Sequence, residues 1–323
     1  IIGSGPAGMA ASAYLIQNGY KVDVYEKNDR AGGLMIYGIP NFKLDKKIVE
    51  RRTEWLTDSG VVFNLNTEVG KNISFQDLEK DYDAILIATG VYKARKLDID
   101  TSSVDNSIPA LDFLIESNRT GLGDSPSNNK FLTAKDKNVV VIGGGDTAMD
   151  CVRTAIRQQA KEVTCLYRRN KENMPGSARE VLNAEQEGIK FNWLSVPSKI
   201  ISDNSTATSM TYKVAALGEV DESGRRKPVD TGVEKQIKSD LIIQALGFEP
   251  DDLNHNFKTN IELTSWKTVK VDFKKFQTSN PKIFAAGDIV RGASLVVWAI
   301  HDGREVAKSI HNFLQSSKIK KAS

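Results

Sequence analysis

Two glycine-rich stretches carry the first recognisable chemistry. Gly3-Ser4-Gly5-Pro6-Ala7-Gly8 reads GxGxxG, and Gly143-Gly144-Gly145-Asp146-Thr147-Ala148 repeats it with Ala in the third small position. Between a strand and a helix, such a turn cradles the pyrophosphate of a dinucleotide. The first glycine permits the tight turn, the second lets the backbone approach the phosphates, and the third lets helix and strand pack closely. The helix N-terminus then faces the phosphate charge. The residue after the next strand sets the ribose chemistry. Glu26 stands 18 residues past Gly8, where a carboxylate accepts hydrogen bonds from a ribose diol and repels a 2′-phosphate. Arg168 stands 20 residues past Ala148, with Arg169 beside it. Two guanidinium groups suit a 2′-phosphate through bidentate, charge-assisted hydrogen bonds. The first cradle therefore suits the ADP half of FAD, and the second suits NADPH.

Each cradle needs a strand before it and a helix after it. A helix is expected from Met9 to Asn18, closing at Gly19, and a strand over Lys21 to Tyr25. Val139 to Ile142 is fully apolar, as a central parallel strand should be. A helix from about Asp146 to Gln159 and a strand over Glu162 to Tyr167 follow. Ile85-Leu86-Ile87-Ala88-Thr89-Gly90 is an apolar strand ending in a small-residue turn. Gln244-Ala245-Leu246-Gly247 repeats that shape after Asp240 to Ile243, so the chain contains two related βαβ-based units. Gly32-Gly33 suits close backbone approach to a flavin pyrophosphate or ribitol. Ile283 to Asp288 is another strand and sharp turn, with Asp288 suited to a ribitol hydroxyl. Gly292-Ala293-Ser294 then opens a long helix, with Ser294 as N-cap and Val296, Ala299, Ile300, Val306, Ile310 and Leu314 on the packed face. That N-terminus would face the flavin N1/O2 edge. Residues 101–137 carry linker and surface-loop chemistry, and Met210 to Val229 reads as a hairpin turning at Asp221-Glu222-Ser223-Gly224.

Composition narrows the classes. The 323 residues hold only two cysteines, Cys151 and Cys165, too few for an iron–sulfur cluster or a structural zinc. They stand 14 apart, form no close redox pair, and read as small buried hydrophobes. The three histidines are scattered, so no metal site is expected. Net charge is +3, too small to argue for nucleic acid, and no apolar run approaches the roughly 18 residues of a membrane span. A cytoplasmic protein with no nucleic-acid or membrane partner is expected. No catalytic side chain is expected either, because hydride transfer between stacked rings needs mainly orientation and exclusion of water. The opening Ile1-Ile2-Gly3 leaves two residues before the first turn, and the expectation is that the chain starts inside a strand, with its natural N-terminus upstream.

These residues resemble the small (beta) subunit family of NADPH-dependent glutamate synthase. The likeness is carried by residues 1–8, Gly32-Gly33-Leu34, Tyr37-Gly38-Ile39-Pro40-Asn41-Phe42-Lys43-Leu44, residues 143–150, Tyr167-Arg168-Arg169, Asn173-Met174-Pro175-Gly176-Ser177, Ala245-Leu246-Gly247-Phe248, and residues 287–303. The YGIPNFKL and NMPGS stretches are shared in part with flavin domains of dihydropyrimidine dehydrogenase and related ferredoxin–NADP oxidoreductases. The resemblance implies an α/β fold of two Rossmann-like, three-layer dinucleotide-binding domains, the NADPH domain inserted into a discontinuous FAD domain. The segments would be 1–100 for FAD, 101–251 for linker and NADPH, and 252–323 for FAD again, with a frayed basic tail at 316–323. It implies FAD along Gly3, Ser4, Gly5, Pro6, Ala7 and Gly8, with Glu26 on the ribose. Gly33, Leu34, Lys43, Val69, Ala88, Thr89 and Gly90 would line the cofactor, and Gly287, Asp288, Ser294, Leu295 and Val296 would hold ribitol and isoalloxazine. NADPH would use Gly143, Gly144, Gly145, Asp146, Thr147, Arg168, Arg169, Ala245, Leu246 and Gly247. Electrons would leave through 4Fe–4S clusters, held in an N-terminal region absent from this sequence, to a large (alpha) subunit that makes glutamate from glutamine and 2-oxoglutarate. Two alternatives stand beside this. One is an NADPH–flavin oxidoreductase serving ferredoxin or a pyrimidine-reducing partner; the other is a nucleotide-binding module without turnover.

Overall fold

The computed structural model describes residues 1–220, 224 and 226–322, with side chains as far as Ser317. In chain order the elements begin α1 (Pro6–Gln17), β1 (Asp23–Tyr25), α2 (Leu34–Tyr37), α3 (Lys46–Asp58), β2 (Val62–Asn64), α4 (Phe75–Asp81), β3 (Ile85–Ile87) and β4 (Lys93–Ala94). There follow β5 (Ser107–Pro109), α5 (Ala110–Gly121), β6 (Asn138–Ile142), α6 (Asp146–Arg157), β7 (Glu162–Leu166), α7 (Ala178–Gln186), β8 (Lys190–Asn192), β9 (Ser195–Asp203), β10 (Thr206–Val220) and β11 (Arg226–Lys238). The last are β12 (Leu241–Gln244), β13 (Phe248–Glu249), α8 (Leu253–Phe257), β14 (Ile283–Ala285), α9 (Asp288–Arg291) and α10 (Val296–Ala322). These elements form two compact units. One comprises Ile1–Tyr37, Asn41–Lys93 and Phe248–Ser323, and the other Gly38–Pro40 and Ala94–Gly247.

The first unit is built on a parallel sheet. β1 pairs with β2, and β3 with β14. Ile2 bridges to Tyr25 on one side and to Ile87 on the other, so the residues entering the first cradle lie at the centre of the sheet. Alternate strand residues face opposite ways. Val24, Leu86 and Phe284 pack with α1, α3 and α10, while Ile85, Ile87, Ile283 and Ala285 pack with Phe75 and Leu78 of α4 and Leu253 and Phe257 of α8. The small residues of α1 let α10 approach closely. A Cβ on Gly303 would run into the Ala7 carbonyl and stand 3.0 Å from Ala10 Cβ.

The second unit has a five-stranded sheet in the order β5–β12–β6–β7–β8, parallel in every pair. From Val139 to Ile142, β6 is apolar because both its faces are covered. Val139 and Val141 pack with Phe113 of α5, Met149 and Val152 of α6, and Val181 of α7. Val140 and Ile142 pack instead with Met210 and Tyr212 of β10. The three layers here are therefore helices, a parallel sheet, and the antiparallel sheet β11–β10–β9. The expected hairpin is present, with Met210 opposite Ile237, and its turn at Asp221-Glu222-Ser223 lies outside the described residues. In the segment read as a frayed tail, α10 runs on to Ala322, and the side chains of 318–323 lie outside the described residues. Among the described residues, no helix is long and apolar enough to cross a membrane.

Candidate functional site

In the first cradle, two glycines are demanded by backbone contact. Gly3 has φ +100°, and a Cβ there would meet the carbonyl of Ala88, so the Ala88-Thr89-Gly90 turn lies directly against the cradle. A Cβ on Gly8 would run into the Gly3 carbonyl. Gly5 is different. No atom lies within 4 Å of where its Cβ would be, and it begins α1 with no side-chain cap on the first-turn N–H groups. Pro6 at the first helical position has no N–H to leave unsatisfied. Gly33, at φ +55°, closes over this point, its Cβ position 2.8 Å from Gly5 Cα. The open space at Gly5, bounded by glycine and uncapped N–H groups, fits a pyrophosphate.

Glu26 is buried and multiply bonded. Its Oε2 accepts from the Ser4 N–H (3.1 Å) and the Ser4 hydroxyl (2.5 Å), and its Oε1 accepts from the Asn28 N–H (2.9 Å) and Asn28 Nδ2 (2.7 Å). Ser4 Oγ also accepts from the Gly32 N–H at 3.0 Å. Ser4 and Glu26 thus brace the cradle against the Gly32-Gly33 turn. Leu34 begins α2 and is half-buried, Val69 is buried, and Lys43 is exposed. Thr89 Oγ1 is buried with no hydrogen-bond partner, a donor and acceptor that a ligand oxygen would satisfy.

At the far end of this unit, Gly287 (φ +79°) seats the next turn on α1, its Cβ position 3.0 Å from Ala7 Cβ. Asp288 Oδ1 accepts from the Ser294 hydroxyl at 2.7 Å. Burial, with Asp302 nearby, raises the Asp288 carboxyl above its ordinary range despite the hydrogen bonds from Ser294. Ser294 therefore does not serve as the expected N-cap. Its hydroxyl is given to Asp288, and the Leu295 carbonyl accepts the first helical bonds from the Trp298 and Ala299 N–H groups. Leu295, Val297 and Trp298 are exposed, and Val296 is half-buried.

The second cradle repeats the first. Gly143 has φ +146°, and its Cβ would meet the Ala245 carbonyl, as Gly3 meets Ala88. Ala148 is wholly buried in the third small position. Gly145 has open space where Gly5 does, and it too starts its helix without a side-chain cap. Ala245 is buried, Leu246 half-buried, and Gly247 has φ +89°. A loop that spacing had not assigned to this site folds onto it. The Gly176 N–H donates to the Gly144 carbonyl (2.9 Å), the Ser177 N–H to Asp146 Oδ1 (2.9 Å), and the Tyr167 hydroxyl to the Asn173 carbonyl (2.8 Å). A Cβ on Gly144 would enter the Tyr167 ring. Thr147 is half-buried in the first turn of α6. The two arginines are separated. Arg168 is exposed at the end of β7, while Arg169 is 2% exposed and its Nε donates to the Arg226 carbonyl at 2.7 Å.

A family model for pyridine nucleotide-disulphide oxidoreductases matches residues 1–303. The chain belongs to that family. Among its relatives is a glutamate synthase [NADPH] small chain of Azospirillum brasilense, 50% identical, the match covering 98% of this chain and 66% of the relative. Another, of Escherichia coli, is 43% identical over 98% of this chain and 68% of its own length. The chain thus spans about two thirds of the length of these curated relatives. The fold is also that of FprA from Mycobacterium tuberculosis, solved in complex with NADPH. The TM-score is 0.80 at 19% identity, covering 99% of this chain and 85% of that one. In this member of the pyridine nucleotide-disulphide oxidoreductase family both cysteines are free and buried. Cys165 Sγ lies 3.3 Å from the Gly143 carbonyl, and burial pushes its thiol up to about 12; Cys151 is raised as well, by burial and by Asp150. A thiol so far from ionisation is a poor nucleophile, which agrees with their reading as packing residues.

Proposed function

We propose that this chain is the FAD- and NADPH-binding part of a glutamate synthase small chain, oxidising NADPH and passing its electrons onward. The observation that carries the reading is the contrast between two cradles of the same build. Both leave open space at the second glycine, but one ends in the buried carboxylate of Glu26 and the other in the exposed guanidinium of Arg168. A carboxylate excludes a 2′-phosphate and a guanidinium binds one. FAD would accordingly occupy the first cradle and NADPH the second.

Bound flavin would supply a hydride acceptor for the C4 hydride of the nicotinamide. The protein's own groups bind and orient. The N–H groups of α1 and α6 hold pyrophosphates at Gly5 and Gly145. The unpartnered Thr89 hydroxyl serves the flavin side, and Asp288 with Ser294 takes a ribitol hydroxyl. Arg168 selects the 2′-phosphate, beside a cradle whose shape the loop 170–177 maintains. No side chain need act as nucleophile or base.

The relatives' description as small chains supports a large-subunit partner, and the family resemblance implies 4Fe–4S clusters held outside these residues. A cytoplasmic location fits two thiols that remain free. Anaerobic addition of NADPH to the FAD-loaded chain should bleach the oxidised flavin absorbance, and NADH should do so far more slowly. Retention of that absorbance would sink the enzyme reading and leave a nucleotide-binding module.

A further inference from the structure

We propose that the hydroxyl of Tyr92 is a hydrogen-bond donor to the dinucleotide pyrophosphate in the first cradle, an inference that rests on the FAD reading above. Tyr92 follows the Ala88-Thr89-Gly90 turn, with Gly90 against its ring and Gly33 beside its hydroxyl. The Cβ position of Gly90 is 3.2 Å from Tyr92 Cε2. That of Gly33 is 3.4 Å from the Tyr92 hydroxyl and 2.8 Å from Gly5 Cα. Gly5 is the second glycine of the fingerprint, where the backbone comes closest to the phosphates. The phenol oxygen therefore lies within about 6 Å of Gly5 Cα, within reach of a pyrophosphate oxygen bound at that glycine.

The ring is held in place and its oxygen is left over. The Lys27 ammonium lies 4.4 Å from the ring centroid, a cation–π contact. Other tyrosine hydroxyls of this unit are paired: Tyr25 with Tyr82, and Tyr37 with Asp29. The Tyr92 hydroxyl makes no hydrogen bond among the described residues, although the ring is half-buried. The neighbouring carboxylates do not claim it. Glu26 is bonded to Ser4 and Asn28, and Asp288 to Ser294. Burial first, then the charges of Glu26 and Asp288, raise this phenol above its ordinary value. It stays protonated at every physiological pH, an O–H donor facing a place built for an anion's oxygens.

Tyr92→Phe keeps the ring, its packing and the Lys27 contact, and removes only the donor. FAD binding to the apoprotein, followed by quenching of flavin fluorescence, should weaken roughly tenfold, the size of one charge-assisted hydrogen bond. Binding of 2′,5′-ADP to the second cradle and the melting temperature of the apoprotein should both stay at wild-type values. FAD affinity within about twofold of wild type overturns the inference, and so does a lowered apoprotein melting temperature, which would make the hydroxyl structural. A wild-type chain that takes up no FAD overturns the flavoprotein reading itself; equal FAD binding by wild type and Tyr92→Phe overturns only the role of this hydroxyl.

Discussion

Arg168 and Arg169 are neighbours in sequence with opposite surroundings. Past the end of β7 the chain bends and leaves one guanidinium exposed while burying the other, whose Nε donates to the Arg226 carbonyl. The two substitutions should therefore fail differently. Arg168→Gln should raise KM for NADPH by roughly 10- to 100-fold while KM for NADH hardly moves, since it removes a charge-assisted contact that only the 2′-phosphate makes. Arg169→Gln should cost about 1–3 kcal/mol of stability through a lost buried hydrogen bond, with the NADPH-to-NADH preference largely kept. Equal loss for both nucleotides in Arg168→Gln would refute the assignment. The difference between the two residues was invisible in the sequence, because it depends on a carbonyl 57 positions later. Tyr92 and Gly176 escaped for the same reason. Their relevance comes from Gly5, Gly33 and Gly144, which lie far away along the chain; Tyr92 belongs to no spaced motif, and nothing local in the Asn173–Ser177 stretch says that Gly176 meets Gly144. Gly3 and Gly143 were legible because a turn that needs positive φ, next to another backbone, leaves only one residue type.

At the scale of elements, the cradle strands and helices were readable because apolar runs, caps and glycines act over a few residues. The covering of the second sheet was less so: β10 and β11 read as a hairpin, but nothing local in them says which layer they cover. A second feature of this scale is the clamp between α6 and α7. Arg153 bonds Glu180 (2.7 Å) and Glu187 (2.7 Å), and Arg157 bonds Glu187 (2.6 Å). Burial alone would raise the Glu187 carboxyl, but hydrogen bonds from Arg157 and Arg153 outweigh it and hold it down at about 2. A carboxyl held lower in the folded than in the unfolded chain stabilises the fold above its ordinary value, and that contribution disappears as pH falls through the folded value. Glu187→Gln should therefore lower stability at neutral pH by about 1 kcal/mol, the scale of a partly exposed ion-pair network. The wild-type advantage should shrink between about pH 4.5 and pH 2, as followed by thermal melting across that range.

At the scale of the whole chain, two separate hydrophobic cores each carry one cradle. Each should respond to its own nucleotide. At about 100 times its dissociation constant, 2′,5′-ADP should add about 2.7 kcal/mol to the unit that binds it. In calorimetry of the FAD-free chain this should move one transition upward and leave the other in place; a rise of both together would mean that the units melt as one.

The discontinuity of the first unit also orders events at the ribosome. All five strands of the parallel sheet in the second unit have been synthesised by Gln244. α1, by contrast, is made before the second unit and waits for Val306, Ala307 and Ile310 of α10 to cover Ala7, Ala11 and Leu15. Throughout that interval a half-built sheet trails from the nascent chain with an apolar helix uncovered, a natural client for chaperones.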